Sequence, residues 1–97
     1  MEIKKEIIDG ICTLVPEGRI DTLTSGDLEA AVAGAAEECG KIILDMSDVD
    51  YVSSAGIRVI IQAHRNAGEN NLILKNVAKN VFQLFAMTGF DRVLNFE

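Results

Sequence analysis

The sequence predicts a single α/β domain spanning residues 1–97, with a mixed, mostly parallel β-sheet that begins in an antiparallel hairpin. Three observations carry that expectation. Short apolar runs alternate with segments whose apolar residues recur at helical spacing, and helices of that length between strands need crossover connections and parallel pairing. Asp9-Gly10 separates the first two strand-like runs, and a two-residue hairpin turn needs positive φ at both central positions. Finally, 97 residues with 48% hydrophobic side chains support one core, and the periodic segments leave no length for a second. Four Phe, one Tyr and no Trp make that core aliphatic.

In chain order, residues 2–8 and 11–15 form the hairpin. The second run, Ile-Cys-Thr-Leu-Val, is almost continuously apolar, which predicts burial on both faces and an interior place in the sheet. Pro16 ends it for want of an N–H. Residues 17–21 read as a loop leading to Thr22-Leu23-Thr24-Ser25, a set of candidate helix N-caps. Leu28, Val32, Ala35 and Cys39 then fall at i, i+4, i+7 and i+11, one stripe of a first helix, with Gly40 at the terminator position. A strand at residues 41–45 runs into a polar loop punctuated by Tyr51 and Val52. Ser53-Ser54-Ala55-Gly56 opens a second helix to about Ala67, with Ile57, Ile60, Ile61, His64 and Ala67 on one stripe. A turn at residues 68–71 and a strand at residues 72–75 follow. Asn76 caps a third helix through Val77, Val81, Leu84 and Phe85, and residues 92–96 return as a last strand. The order is β-β-α-β-α-β-α-β.

A formal net charge of −6 argues against nucleic acid and against an anionic membrane surface as partners. Residues 1–50 hold twelve acids and four bases, residues 51–97 three acids and five bases. Solvated faces account for this asymmetry, and an acidic face for a basic partner is the alternative. Cys12 and Cys39 lie in apolar contexts without C-x-x-C spacing, which predicts buried free thiols in a reducing compartment. No signal-peptide pattern opens the chain and no apolar run is long enough to span a bilayer, so the expected location is cytoplasmic.

The chemistry-bearing residues are few. Asp45 ends a strand where open α/β sheets place functional groups, although Asp45 or Ser47 can equally serve the local turn. Asp45, Asp48 and Asp50 lack the glycine and terminal glutamate of a calcium loop, so no metal is expected. There is no glycine-rich phosphate loop and no cofactor motif. Val52 stands where a nucleophile elbow requires glycine, and no base accompanies Ser54. His64 reads as a satisfied, half-buried imidazole rather than a catalytic base. Ser53 and Ser54 admit two readings: helix N-capping, or phosphorylation at a helix end whose dipole tolerates a dianion, with Arg58 one turn on.

The segments GRIDTLTSGDL (residues 18–28) and IILDMSDVDYVSSAGIRVI (residues 42–60) resemble the STAS domain, and AMTGFDRVLNF (residues 86–96) is similar to that family's C-terminal region. The best-known soluble members are anti-sigma factor antagonists. The resemblance implies a STAS fold and a binding module rather than an enzyme. It aligns Ser54 with the serine that a partner anti-sigma factor, itself a serine kinase, phosphorylates. Ser53 stands where the family has an aspartate and is the second candidate acceptor. The unphosphorylated form would bind the kinase and release a sigma factor, and a phosphatase would restore that form. The implied partner face comprises Asp21, Thr22, Thr24, Ser25, Asp45, Ser47, Asp50, Ser53, Ser54, Gly56 and Arg58, with no metal, cofactor, nucleic acid or direct membrane contact. The alternative is a non-phosphorylated adaptor subunit of a transport or sensory complex using the same face.

Overall fold

A computed structural model describes residues 1–68 and 70–97. The elements of the first half are β1 (Ile3–Ile8), β2 (Ile11–Pro16), β3 (Gly18–Ile20), α1 (Ser25–Glu38) and β4 (Lys41–Asp45). Those of the second are β5 (Val49–Val52), α2 (Ser54–Ala67), β6 (Leu72–Lys75), α3 (Lys79–Met87), a 3-10 turn (Phe90–Arg92) and β7 (Asn95–Phe96).

β1 and β2 pair antiparallel, with Ile8 opposite Ile11. Asp9 at φ +52° and Gly10 at φ +78° make the expected turn, whose twist matches that of the strands it joins. β2 pairs parallel with β4, β4 with β6 and β6 with β7, giving one five-stranded sheet in the order β1-β2-β4-β6-β7. Alternate residues point into the core: Cys12 and Leu14, Ile42 and Leu44, Leu72 and Leu74 are buried, while their neighbours are only partly so. The helices supply Leu28, Val32 and Ala35 from α1, Ile57, Ile60 and Ile61 from α2, and Val81 and Phe85 from α3. The core is aliphatic except at one end, where Phe96 meets Phe82 and Phe85 edge-on, at centroid distances of 5.0 and 5.5 Å. β2 is interior, as expected, but Ile11, Thr13 and Val15 face the uncovered side, so it is buried on one face only.

Several local expectations give way. Residues 17–21 and 46–52 are not simply loops, because β3 and β5 form a second, two-stranded parallel sheet, with Arg19 opposite Tyr51 and Ile20 opposite Val52. Cys12 and Cys39 are not free thiols. They are joined in a disulfide with their Cα atoms 6.0 Å apart, in the usual range for a bridge. α1 ends at Cys39 in extended conformation, one residue before Gly40. Asn76 does not cap α3: it adopts φ +57° and its side chain turns to Asp45, while the helix begins at Lys79 after Ala78. Only Asn95 and Phe96 of the last segment pair as a strand. His64 is half-buried, but among the described residues its Nδ1 is buried without a hydrogen-bond partner, in contrast to the satisfied imidazole expected. In the turn at residues 68–71, Gly68 and Asn70 have positive φ, and Glu69 lies outside the described residues. No helix among the described residues is long and apolar enough to cross a membrane.

Candidate functional site

The site is built where α2 begins, on the β3–β5 pair. The Ser53 backbone N–H donates to the Ile20 carbonyl at 2.8 Å, which fastens the entry of the helix to the end of β3. Gly56 makes that approach feasible. A Cβ there would lie 2.6 Å from Ile20 Cγ2, 2.9 Å from the Ile20 carbonyl oxygen and 2.9 Å from Val52 Cγ1. The two serines separate at this point. Ser53 lies outside the helix in extended conformation, and its hydroxyl oxygen accepts the Gly56 N–H at 3.3 Å, so it is the N-cap. Ser54 is the first helical residue and is exposed, and Arg58 is exposed one turn later.

Asp21, next after Ile20, organises the adjoining turn. Its Oδ1 accepts the N–H groups of Leu23 at 3.0 Å and Thr24 at 3.2 Å, and lies 3.2 Å from the Thr24 hydroxyl oxygen. Desolvation pushes its pKa up, but these hydrogen bonds and the nearby Arg19 outweigh it and hold the carboxyl below its ordinary value. Arg19 also lies over the Tyr51 ring, 4.3 Å from its centroid. Thr24 stands at the N-cap position of α1 but makes no cap bond to the helix; its hydroxyl donates to the Arg19 carbonyl at 2.7 Å. Thr22 is exposed and Ser25 half-buried.

A second polar cluster surrounds Asp45. Its Oδ1 accepts the Ser47 N–H and the Asn76 amide, each at 3.1 Å. Here too desolvation raises the pKa, and the hydrogen bonds from Asn76 and Ser47, with the Lys75 charge, more than reverse it. Asp45 thus performs the turn role that was one of its two sequence readings. Ser47 and Asp50 are exposed, and the Asp50 carbonyl accepts the Asn80 amide at 3.2 Å. The sequence-predicted residues therefore form two groups, Asp21–Ser25 joined to Ser53–Arg58 through Ile20 and Asp45–Ser47 joined to Lys75-Asn76, with Asp50 held apart against Asn80. Among the described residues no hydrogen bond or ion pair connects the Asp45 carboxylate to either serine.

Sequence reasoning missed a cleft of about 320 Å³ beside Ser54, lined also by Ile57, Arg58, Ile61, Arg65, Thr88 and Phe90. The only available signal was the segment 86–96, which carries Thr88 and Phe90 to the flank of α2. Chemically, the site offers an exposed hydroxyl at the positive end of a helix dipole, where a negative group is tolerated.

A model of the STAS domain family matches residues 2–97. A Bordetella bronchiseptica protein with the provisional name anti-sigma factor antagonist BtrV is 30% identical over 95 residues, 93% of this chain and 80% of its own length. Among solved structures, an anti-sigma factor antagonist from Mycobacterium paratuberculosis superposes with a TM-score of 0.87 at 21% identity, covering 98% of this chain and 83% of its own. The Bacillus cell fate determinant SpoIIAA in its phosphorylated form gives 0.71 at 16% identity, with 99% and 91% covered. With the hairpin, the parallel crossovers and the serine-led second helix in place, the chain belongs to the STAS domain family.

Proposed function

We propose that this chain is an anti-sigma factor antagonist whose docking to its partner is switched by phosphorylation of Ser54. The observation that carries the choice of residue is the division of labour between the two serines. Ser53 commits its hydroxyl to the Gly56 N–H, whereas Ser54 is exposed one residue later. The names of the relatives support the regulatory role, and the phosphorylated SpoIIAA supports the kind of modification. In this reading the unphosphorylated chain binds an anti-sigma factor serine kinase in the cytoplasm and so frees a sigma factor. The kinase then transfers the γ-phosphoryl group of ATP: Ser54 Oγ forms the new O–P bond, ADP leaves, and the hydroxyl proton passes to a base on the kinase. This chain supplies the acceptor and no catalytic group. The product carries about −1.5 to −2 charges in the middle of the docking face. A phosphatase removes them.

The docking face in this proposal is the turn from Asp21 through Thr22 and Thr24 to Ser25, with Ser53, Ser54, Gly56 and Arg58. Asp45, Ser47 and Asp50 form its outer part. Incubation with an anti-sigma factor kinase and ATP is expected to add one phosphate to the wild type and to Ser53→Ala, and none to Ser54→Ala, as read by intact-mass and peptide mass spectrometry. Ser54→Asp is expected to weaken kinase binding while leaving the thermal midpoint near that of the wild type. Phosphate that persists in Ser54→Ala moves the switch to another residue. A wild type that binds the kinase but is never phosphorylated leaves the constitutive-adaptor reading in its place.

A further inference from the structure

We infer that the cleft between α2 and the corner joining α3 to the 3-10 turn receives an acidic helical segment of the partner, held by Arg58 and Arg65. The inference rests on the reading of this chain as a partner-docking protein and specifies what the partner brings. The cleft has an apolar floor, since Ile57 and Ile61 are buried and Phe90 is partly so. Its exposed wall on α2 carries two guanidinium groups, and among the described residues no acid lines it. The ion pairs found among the described residues use the N-terminus, Lys4, Lys5, Arg19 and Lys75, and none of them engages Arg58 or Arg65. Two exposed guanidinium groups beside an apolar floor are complementary to an occupant that carries both carboxylates and an apolar body.

The spacing favours a helix as that occupant. Arg58 and Arg65 lie seven residues apart on α2, about 10 Å along its axis. Two carboxylates two turns apart on a partner helix have the same separation, and the residues between them at i+3 and i+4 face the same side. Such a helix laid along the cleft meets both arginines and drops an aliphatic side chain onto Ile57 and Ile61. The charge distribution agrees. The acids of this chain are concentrated in residues 1–50, so an acidic partner approaches most favourably over residues 51–97, where bases outnumber acids five to three.

This geometry also gives the switch a physical cause. Ser54 is one of the residues lining the cleft, so a phosphate on it lies beside Arg58. The dianion takes the cation that a partner carboxylate needs and adds like-charge repulsion against that carboxylate.

The test is calorimetric titration of the full chain with a purified anti-sigma factor kinase at several salt concentrations. Arg58→Ala and Arg65→Ala are each expected to weaken binding about fivefold, and the double variant more, with a shallower salt dependence. Lys41→Ala, a change on the uncovered face of the sheet, is expected to leave both quantities unchanged. All these positions are at or near the surface, and circular dichroism checks that the fold persists. If the double arginine variant binds like the wild type while Ser54→Asp abolishes binding, the cleft inference falls and the switch stands. If the wild type does not bind the kinase at all, both fall.

Discussion

Ser53 and Ser54 carry the same side chain and differ by one position, yet the helix boundary between them gives them opposite roles. Outside the helix, in extended conformation, Ser53 can turn its oxygen onto the first-turn amides; inside it, Ser54 is exposed with its hydroxyl on the surface. Gly56 makes that boundary possible. Alanine is the better helix former by about 1 kcal/mol, so helix propensity alone predicts that Gly56→Ala stabilises. Close packing predicts the opposite, because the added methyl would lie 2.9 Å from a backbone oxygen of Ile20 that cannot swing aside. Overpacking of this kind costs about 1–3 kcal/mol, and it outweighs the propensity gain when backbone must move. Gly56→Ala is therefore expected to lower the urea midpoint. Because the shift displaces the first turn of α2, it is expected to reduce kinase phosphorylation of Ser54 as well. A midpoint at or above that of the wild type would overturn the packing argument.

At the scale of elements, what sequence reveals depends on how many residues repeat a pattern. Asp9-Gly10 announces the hairpin through turn chemistry alone, and the stripes of α1 and α2 extend over three or more turns. β3 and β5 have three and four residues, too few to display a period of two, and their pairing with each other is a tertiary fact. Asn76 misled because an asparagine before an apolar run looks like a cap, whereas its side chain finds a carboxylate 31 residues away. The cleft beside Ser54 was hidden for the same reason: Thr88 and Phe90 come from a distant segment. The cysteines are the clearest case. Nothing in a 27-residue separation signals pairing, and only the crossover through α1 sets Cys39 beside Cys12 on β2. That bridge closes a loop whose entropy in the unfolded chain corresponds to about 3.5 kcal/mol. Reduction is expected to lower the stability of the wild type by about that amount in urea titrations, and to leave Cys12→Ala/Cys39→Ala unaffected. If the oxidised and reduced wild types share one midpoint, with thiol counts confirming the two states, the bridge does not stabilise the fold.

For the whole molecule, acid stability is set by how the carboxylates are held. Fifteen acids face nine lysines and arginines, and the carboxyls of Asp21 and Asp45 are held below the ordinary 3.8. Both sit at the C-terminal ends of strands, Asp21 just after β3 and Asp45 closing β4, where each carboxylate collects N–H groups from the turn that follows. A folded pKa below the unfolded one means that the folded chain holds its proton less readily. The resulting stabilisation is complete above the unfolded value and disappears as pH falls through the folded one. The wild type is therefore expected to keep its urea midpoint from neutral pH to about 5 and to lose stability progressively below about 4. Asp45→Asn keeps an oxygen for the Ser47 N–H but removes the charge that Lys75 attracts. It is expected to be slightly less stable at neutral pH and to show a shallower decline in acid. Asp21→Asn is expected to flatten the decline similarly, since Thr24 and Leu23 still find an acceptor. The two carboxylates share no hydrogen-bond partner, so their effects on the acid slope should add. An acid slope unchanged in the double variant would mean that other carboxylates drive the loss of stability in acid.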